Sequence, residues 1–237
     1  MKSHYYERYP YKAELHCHTN PASGCSHLSA VELVDLYKAL KVDTIVLTNH
    51  YYNHPYGDAA TLRPKEETVQ EYLQCYHDLK VHGDAAGIHC ILGMEIRFAE
   101  NENDYLLYGI SEEDVAPLFD SLEGNLENFH RNYKGADQLL YQAHPFRNKM
   151  IPADPQHLDG IEVFNTHPGA NSRIILAGNY ARAHNLPMIG GSDCHDHSHA
   201  GGCLMRTKER IETAKQLVSV LRSGDYILDI GGSIILP

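Results

Sequence analysis

The stretch "IGGSDCHDHSHAGG", Ile189–Gly202, sets two Asp and three His between pairs of glycines. Asp193 and His195 stand two residues apart at the end of the short apolar run "PMIGGSD" (187–193). On an extended strand, side chains two apart point to the same face. This carboxylate and imidazole therefore project together, with Cys194 turned away. His197 and His199 continue the same beat, but on a Gly-flanked loop the alternation has no geometric meaning, so both are read as rim residues. A second pair of the same kind opens the chain. In "AELHCH" (13–18), His16 and His18 share one face and Cys17 takes the other.

Between these two pairs, strand-length apolar runs recur at 43–49, 89–96, 104–110, 138–144 and 159–165. Most are unbroken, as expected of strands covered on both faces. Helical patterns separate them. Ser29 followed by Glu32 is a capping box, and Leu33, Leu36, Tyr37 and Leu40 fall on one stripe. Further helices are expected at about 65–82, 112–121, 125–134, 171–184 and 208–223. In the 65–82 helix, Val69, Tyr72, Leu73, Tyr76 and Leu79 are read as facing inward. The tail "GDYILDIGGSIILP" reads as a late hairpin or edge pair. Alternating strands and helices argue for a parallel α/β sheet with crossover helices. At 237 residues with 43% hydrophobic side chains, one domain over 1–237 is expected, near the ~250 residues typical of an α/β barrel.

The polar residues fall in one place on that frame. His16 and His18 end the first strand, His50 follows the second and Glu95 is near the end of the third. His144 ends the fifth, Glu162 lies within the sixth, and Asp193 and His195 close the seventh. Such strand ends are where α/β proteins build their sites, because the βα loops gather there. A carboxylate in "LGMEIRF" is costly to bury alone, and sharing it between two cations resolves the cost. Mixed imidazole and carboxylate donors suit zinc, manganese or iron, and the six scattered cysteines form no thiolate cluster.

Composition narrows the partners. Twenty Lys+Arg against 31 Asp+Glu leave a net charge of −11, which argues against a nucleic-acid grip and is compatible with a small anionic substrate. The polar, tyrosine-rich start lacks a signal-peptide apolar core, and no run reaches membrane-span length. With cysteines that read as reduced thiols, a cytoplasmic location is expected. The oligomeric state is not legible.

In order, "ELHCHT", "VLTNH", "LGMEI", "QAHPFR", "IEVFN" and "GGSDCH" resemble the PHP (polymerase and histidinol phosphatase) family of metal-dependent phosphoesterases, over roughly 13–203. The resemblance implies a distorted, TIM-like (β/α)7 barrel with two or three divalent transition-metal ions at the strand ends. His16, His18, Glu95 and Asp193 would hold one ion. Glu95 would bridge to a second with His144, and His50 and His195 would hold a third. Three departures stand out. Asn49 replaces an Asp before His50. Asp104 stands where a His is usual and is carried as a metal-ligand candidate. The segment after "HCHT" offers only Cys25 or His27 to the third ion.

The chemistry this implies is hydrolysis of a small phosphorylated metabolite by a hydroxide bridging the metals. Arg147, His195 and His50 are the catalytic candidates, and Arg97, Arg147, Arg173 and His167 the substrate contacts. A non-catalytic, decayed metal module, a phosphodiesterase or nuclease, and an amidohydrolase-like enzyme are the competing readings.

Overall fold

A computed structural model of the chain describes residues 2–54 and 61–237. A short helix α1 (Lys2–Arg8) leads into β1 (Tyr11–Cys17), α2 (Ala30–Ala39), β2 (Thr44–Leu47) and β3 (His50–Tyr51). Then come α3 (Lys65–Ala86), β4 (His89–Leu92), β5 (Met94–Arg97), β6 (Asp104–Tyr108), α4 (Glu112–Phe119) and α5 (Leu126–Asn132). The rest is β7 (Leu139–Gln142), β8 (Gly160–Asn165), α6 (Ile174–His184), β9 (Met188–Gly191), β10 (Cys203–Thr207), α7 (Ala214–Ser223), β11 (Ile227–Ile230) and β12 (Ser233–Ile235).

The strands form two six-stranded sheets, β12-β11-β10-β1-β2-β4 and β3-β5-β6-β7-β8-β9. Two expected strands each cross from one sheet to the other. The run at 43–49 breaks after Leu47 and resumes as β3, and the run at 89–96 breaks at Gly93 and resumes as β5. A Cβ on Gly93 would lie 2.9 Å from Val46 Cγ1, so only glycine lets the chain pass this close to β2. On the far side, the chain just beyond β9 meets the end of β1 at one isolated parallel bridge, Cys17 to Cys194. The result is a mixed α/β fold of two linked sheets.

The expected all-parallel order is not what forms. β6 is antiparallel to both β5 and β7, and β10 is antiparallel to β1. Only residues 98–103 join β5 to β6, too few for a crossover, so the chain has to turn back. This reversal brings the start of β6 to the edge where the parallel strands end, and Asp104 pairs in register with Arg97. The strand at Cys203–Thr207 lies outside the apolar runs expected as strands, and the last helix starts at Ala214, behind a Thr213–Gln216 capping box, and not near 208. The tail does form a hairpin, β11 against β12.

The α2 capping box forms as its spacing suggests. Leu40, assigned to the apolar stripe, is 38% exposed because the helix stops at Ala39. In α3 the buried line runs through Thr68, Tyr72, Cys75, Leu79 and Gly83. Val69, Leu73 and Tyr76 lie half-buried beside it.

One irregularity aims the first histidine pair. Along β1, Glu14 pairs with Ile45 and Cys17 with Leu47, so three steps on one strand match two on the other. This is a β-bulge, which re-phases a strand and strands backbone N–H groups. Leu15 therefore packs with Val46 and Leu106, while Cys17 packs with Tyr37 and Leu47 on the helix-covered side. The stranded donors find Glu14. Its Oε1 accepts from the backbone N–H of Leu15, His16 and Ser192 at 3.0–3.1 Å. Its Oε2 accepts from the hydroxyls of Tyr37 and Ser192 at 2.7 and 2.5 Å. Burial pushes this carboxyl up, against the pull of those bonds. Glu14 thus ties the β1 bulge, α2 and the Ser192 turn together. Beside it, a Cβ on Gly191 would lie 2.5 Å from His16 Cβ, so glycine is needed where β9 passes β1.

Replacing Glu14 by Ala leaves these buried donors without an acceptor and is expected to cost about 3 kcal/mol of unfolding free energy. Urea denaturation measures it, and a loss under ~0.5 kcal/mol would show that the bulge holds without this carboxylate.

Candidate metal centre

The strand ends bring four donor atoms to one point. His16 Nε2 lies 3.5 Å from Glu95 Oε2 and 3.4 Å from Asp193 Oδ1. His18 Nε2 lies 3.4 and 3.2 Å from the same two oxygens. These separations are long for N–H···O hydrogen bonds, whose usual distance is about 2.9–3.0 Å. Donors set about 2.0–2.1 Å from a tetrahedral zinc ion are ~3.3–3.4 Å apart, so the spacing fits a shared ion. His16 Nε2 and His18 Nε2 are both buried with no hydrogen-bond partner among the described residues. Glu95 Oε2 also faces His50 Nδ1 at 2.8 Å, a nitrogen that lies 2.8 Å from Tyr52 OH as well.

The outward nitrogens of these rings are held as metal-binding imidazoles usually are. His16 Nδ1 bonds Glu162 Oε1 at 2.9 Å. His18 Nδ1 meets Ser23 Oγ at 3.1 Å, and that hydroxyl donates to Asn49 Oδ1 at 3.0 Å. Asn49 also accepts from Thr19 N–H at 2.6 Å. The departure at this position therefore leaves a working support for His18. His195 Nδ1 donates to the Asp193 carbonyl at 2.9 Å. Two donor residues sit in left-handed backbone, His144 at φ 30° and Asp193 at φ 52°, a strain that persists only where the surroundings enforce it.

Around the four atoms stand the other expected residues. His144 Nε2 lies 3.1 Å from Glu95 Oε1, and Glu95, Asp104 and His144 form one group able to hold an ion. His18, His50 and His195 form another. Cys25 reaches the same place: burial raises its thiol, but hydrogen bonds from His195 and His50 bring it down to about 7. Arg147 donates to Asp193 Oδ2 at 2.6 Å and to Asn165 Oδ1 at 2.8 Å. Arg97, Arg147, His167 and Met150 line a cavity of about 430 Å³ over the cluster.

The electrostatics follow from burying so many ionisable groups at once. For Glu95 burial works upward, but His16 and His50 hold its carboxyl well below the usual range. Asp193 is held down in the same way by His16, His18 and Arg147. His16 is raised against burial by Glu162, Asp193 and Glu95. His50 is lifted against burial by Glu95 and Cys25 to about 10. His18 goes the other way, lowered by burial and by His195 and His50. Without metal, protons on His16 and His50 balance the buried carboxylates.

Some expectations and placements part company. Arg173 is not brought to the cluster; it donates to the Phe146 carbonyl and to Asn148 at the surface. His199, read as rim, lines the same cavity, edge-on to His167 at 4.6 Å, and forms a group with His167 and His195. Each of these two rings takes a backbone N–H on Nδ1, from Gly169 and from His195. Their Nε2 atoms therefore carry the proton, which makes them hydrogen-bond donors. Sequence reasoning gave no role to Glu162, Asn165, Ser23 or Tyr52. Of these, only Glu162 carried a signal, as a carboxylate inside an apolar strand.

A family model described as PHP-associated matches residues 175–226. Sphingosine-1-phosphate lyase of Dictyostelium discoideum is 26% identical over 202 residues, covering 85% of this chain and 34% of that protein. The chain thus spans about a third of the length of this curated relative. Among solved structures, PsfC from Pseudomonas syringae superimposes with a TM-score of 0.64 at 18% identity, over 88% of both chains. A two-domain protein from Bacteroides vulgatus containing a predicted PHP-like metal-dependent phosphoesterase gives 0.63 at 18% identity, over 92% of this chain and 64% of that one. The family-model match is confined to that C-terminal segment, and the solved structures, at 18% identity, show a shared fold that includes a PHP-like protein.

Proposed function

We propose that the chain is a metal-dependent phosphoesterase acting on a small phosphorylated metabolite, its two linked sheets serving as a distorted (β/α)7 barrel. The observation that carries this reading is the set of four imidazole–carboxylate separations of 3.2–3.5 Å joining His16 and His18 to Glu95 and Asp193, with both imidazole nitrogens buried and without a hydrogen bond among the described residues. His16, His18, Glu95 and Asp193 would hold the first ion. Glu95 and His144, with Asp104, would hold a second, and His50 and His195 a third. The donor chemistry suits Zn, Mn or Fe. Such ions supply an acidified water and positive charge for the phosphoryl oxygens.

The chain's own residues do the rest. Arg147, anchored on Asp193 and Asn165, presents a guanidinium at the cavity wall for a phosphoryl oxygen. His167 is a neutral donor there, lowered by burial to about 4. The proton for the leaving oxygen comes from His195 or His50, whichever is not committed to an ion. A cavity of about 430 Å³, walled almost wholly by polar side chains, suits a compact polar substrate. The net charge of −11 argues against a nucleic acid. No helix among the described residues is long and apolar enough to cross a membrane.

Two outcomes follow. Loading with Zn²⁺ or Mn²⁺ at pH 7 requires neutral imidazoles, so His16 and His50 shed their protons and about one to two protons are released per chain. Affinity then rises with pH up to the region of the His50 value, about 10. Calorimetry in buffers of different ionisation enthalpy reads this, and buffer-independent heats would contradict it. In a screen of phosphorylated metabolites with Mn²⁺, Zn²⁺ and Fe²⁺, wild type is expected to release phosphate ~100-fold faster than His18→Ala. Equal release by both from every compound sinks the hydrolase reading.

A further inference from the structure

Asp104 is claimed twice. It belongs to the group Glu95, Asp104 and His144, whose donor atoms lie within 4.8 Å of one another. It is also gripped by a guanidinium: Arg97 Nε donates to Oδ1 at 2.7 Å and an Arg97 terminal nitrogen to Oδ2 at 2.9 Å. This two-pronged contact is the strongest form of arginine–carboxylate pairing. Tyr52 reinforces it, donating to Oδ1 at 2.8 Å while its ring lies beneath the guanidinium at 4.8 Å. Register fixes the pair as well, since Arg97 and Asp104 sit opposite each other on β5 and β6. Asp104 is 3% exposed.

We infer that Arg97 is a built-in cation that competes with the second metal ion for Asp104 and so sets how many ions the centre holds. The inference rests on the reading above, that Glu95 and His144 offer a second ion its place. With Arg97 seated, the charge a metal would bring between Glu95, Asp104 and His144 meets a like charge already paired with one of its ligands. Repulsion between such close charges in a buried site is large, and both oxygens of Asp104 are already committed. The second ion therefore binds only by loosening the Arg97 fork. The first position, on His16, His18, Glu95 and Asp193, receives none of Arg97's hydrogen bonds, which go to Asp104 and Glu102, and is filled first. A freed guanidinium stays at the cavity wall, which Arg97 lines, where it can meet a substrate anion.

The test is a titration of chelator-stripped protein with Mn²⁺, reading the number and affinity of bound ions by calorimetry and electron paramagnetic resonance. Wild type is expected to bind one ion tightly and a second far more weakly. In Arg97→Met the second ion tightens at least ~10-fold and the first is unchanged. Arg97→Lys, which keeps the charge, stays near wild type. Should the Met variant fold poorly, Arg97→Gln reads the same difference. A second ion no tighter, or weaker, without the guanidinium overturns the inference and shows Arg97 to be a support for Asp104. If wild type binds no ion at all, the metal-dependent reading falls together with this one; if ions bind and only the tightening fails, this one falls alone.

Discussion

One buried carboxylate organises this molecule. Glu95 has no exposed surface, and four imidazoles face it: His16, His18 and His50 at 2.8–3.5 Å from Oε2, and His144 at 3.1 Å from Oε1. A lone carboxylate in such a place would be expelled from the fold or neutralised. Here it is surrounded by groups that carry either a proton or a cation, and they arrive from three separate segments of the chain. The fold is what makes them converge.

Convergence depends on departures from regular structure. The β1 bulge turns His16 toward Glu95, and Glu14 satisfies the backbone groups that the bulge leaves over. Gly191 lets β9 pass against His16. His144 and Asp193 reach their places through left-handed backbone just beyond β7 and β9. The short 98–103 link reverses β6 and delivers Asp104 to the same edge. Each device costs some local stability, which the packed sheets and helices around it offset, as is usual where a site is built on a scaffold.

The sequence shows a good part of this. Period-two spacing set His16 beside His18 at the end of β1, where their rings lie 5.0 Å apart, and strand ends marked Glu95 and His144, which meet at 3.1 Å; Asp193 lies beyond β9 in left-handed backbone, where strand alternation no longer applies. What stayed hidden is what depends on three dimensions. Nothing in "RFAENENDYLLYG" tells that β6 runs backwards until the six-residue link is seen to be too short for a crossover. The bulge is silent because Leu15 and His16 look like ordinary neighbours in a strand. The fork between Arg97 and Asp104 is silent too, since the two stand seven residues apart across a turn. His199 read as rim because its link to His167 spans distant loops. Arg173 looked available, yet local carbonyl and amide partners take it.

The likeness to PHP-like structures is a likeness of fold; the chemistry proposed for this chain rests on its own donor atoms. The most direct measurement is anomalous diffraction at the zinc edge from crystals of the Zn²⁺-loaded protein. The account predicts its strongest peak about 2.0–2.2 Å from His16 Nε2, His18 Nε2, a Glu95 oxygen and an Asp193 oxygen. Zinc bound only elsewhere, with these four side chains bonded to one another, would contradict it.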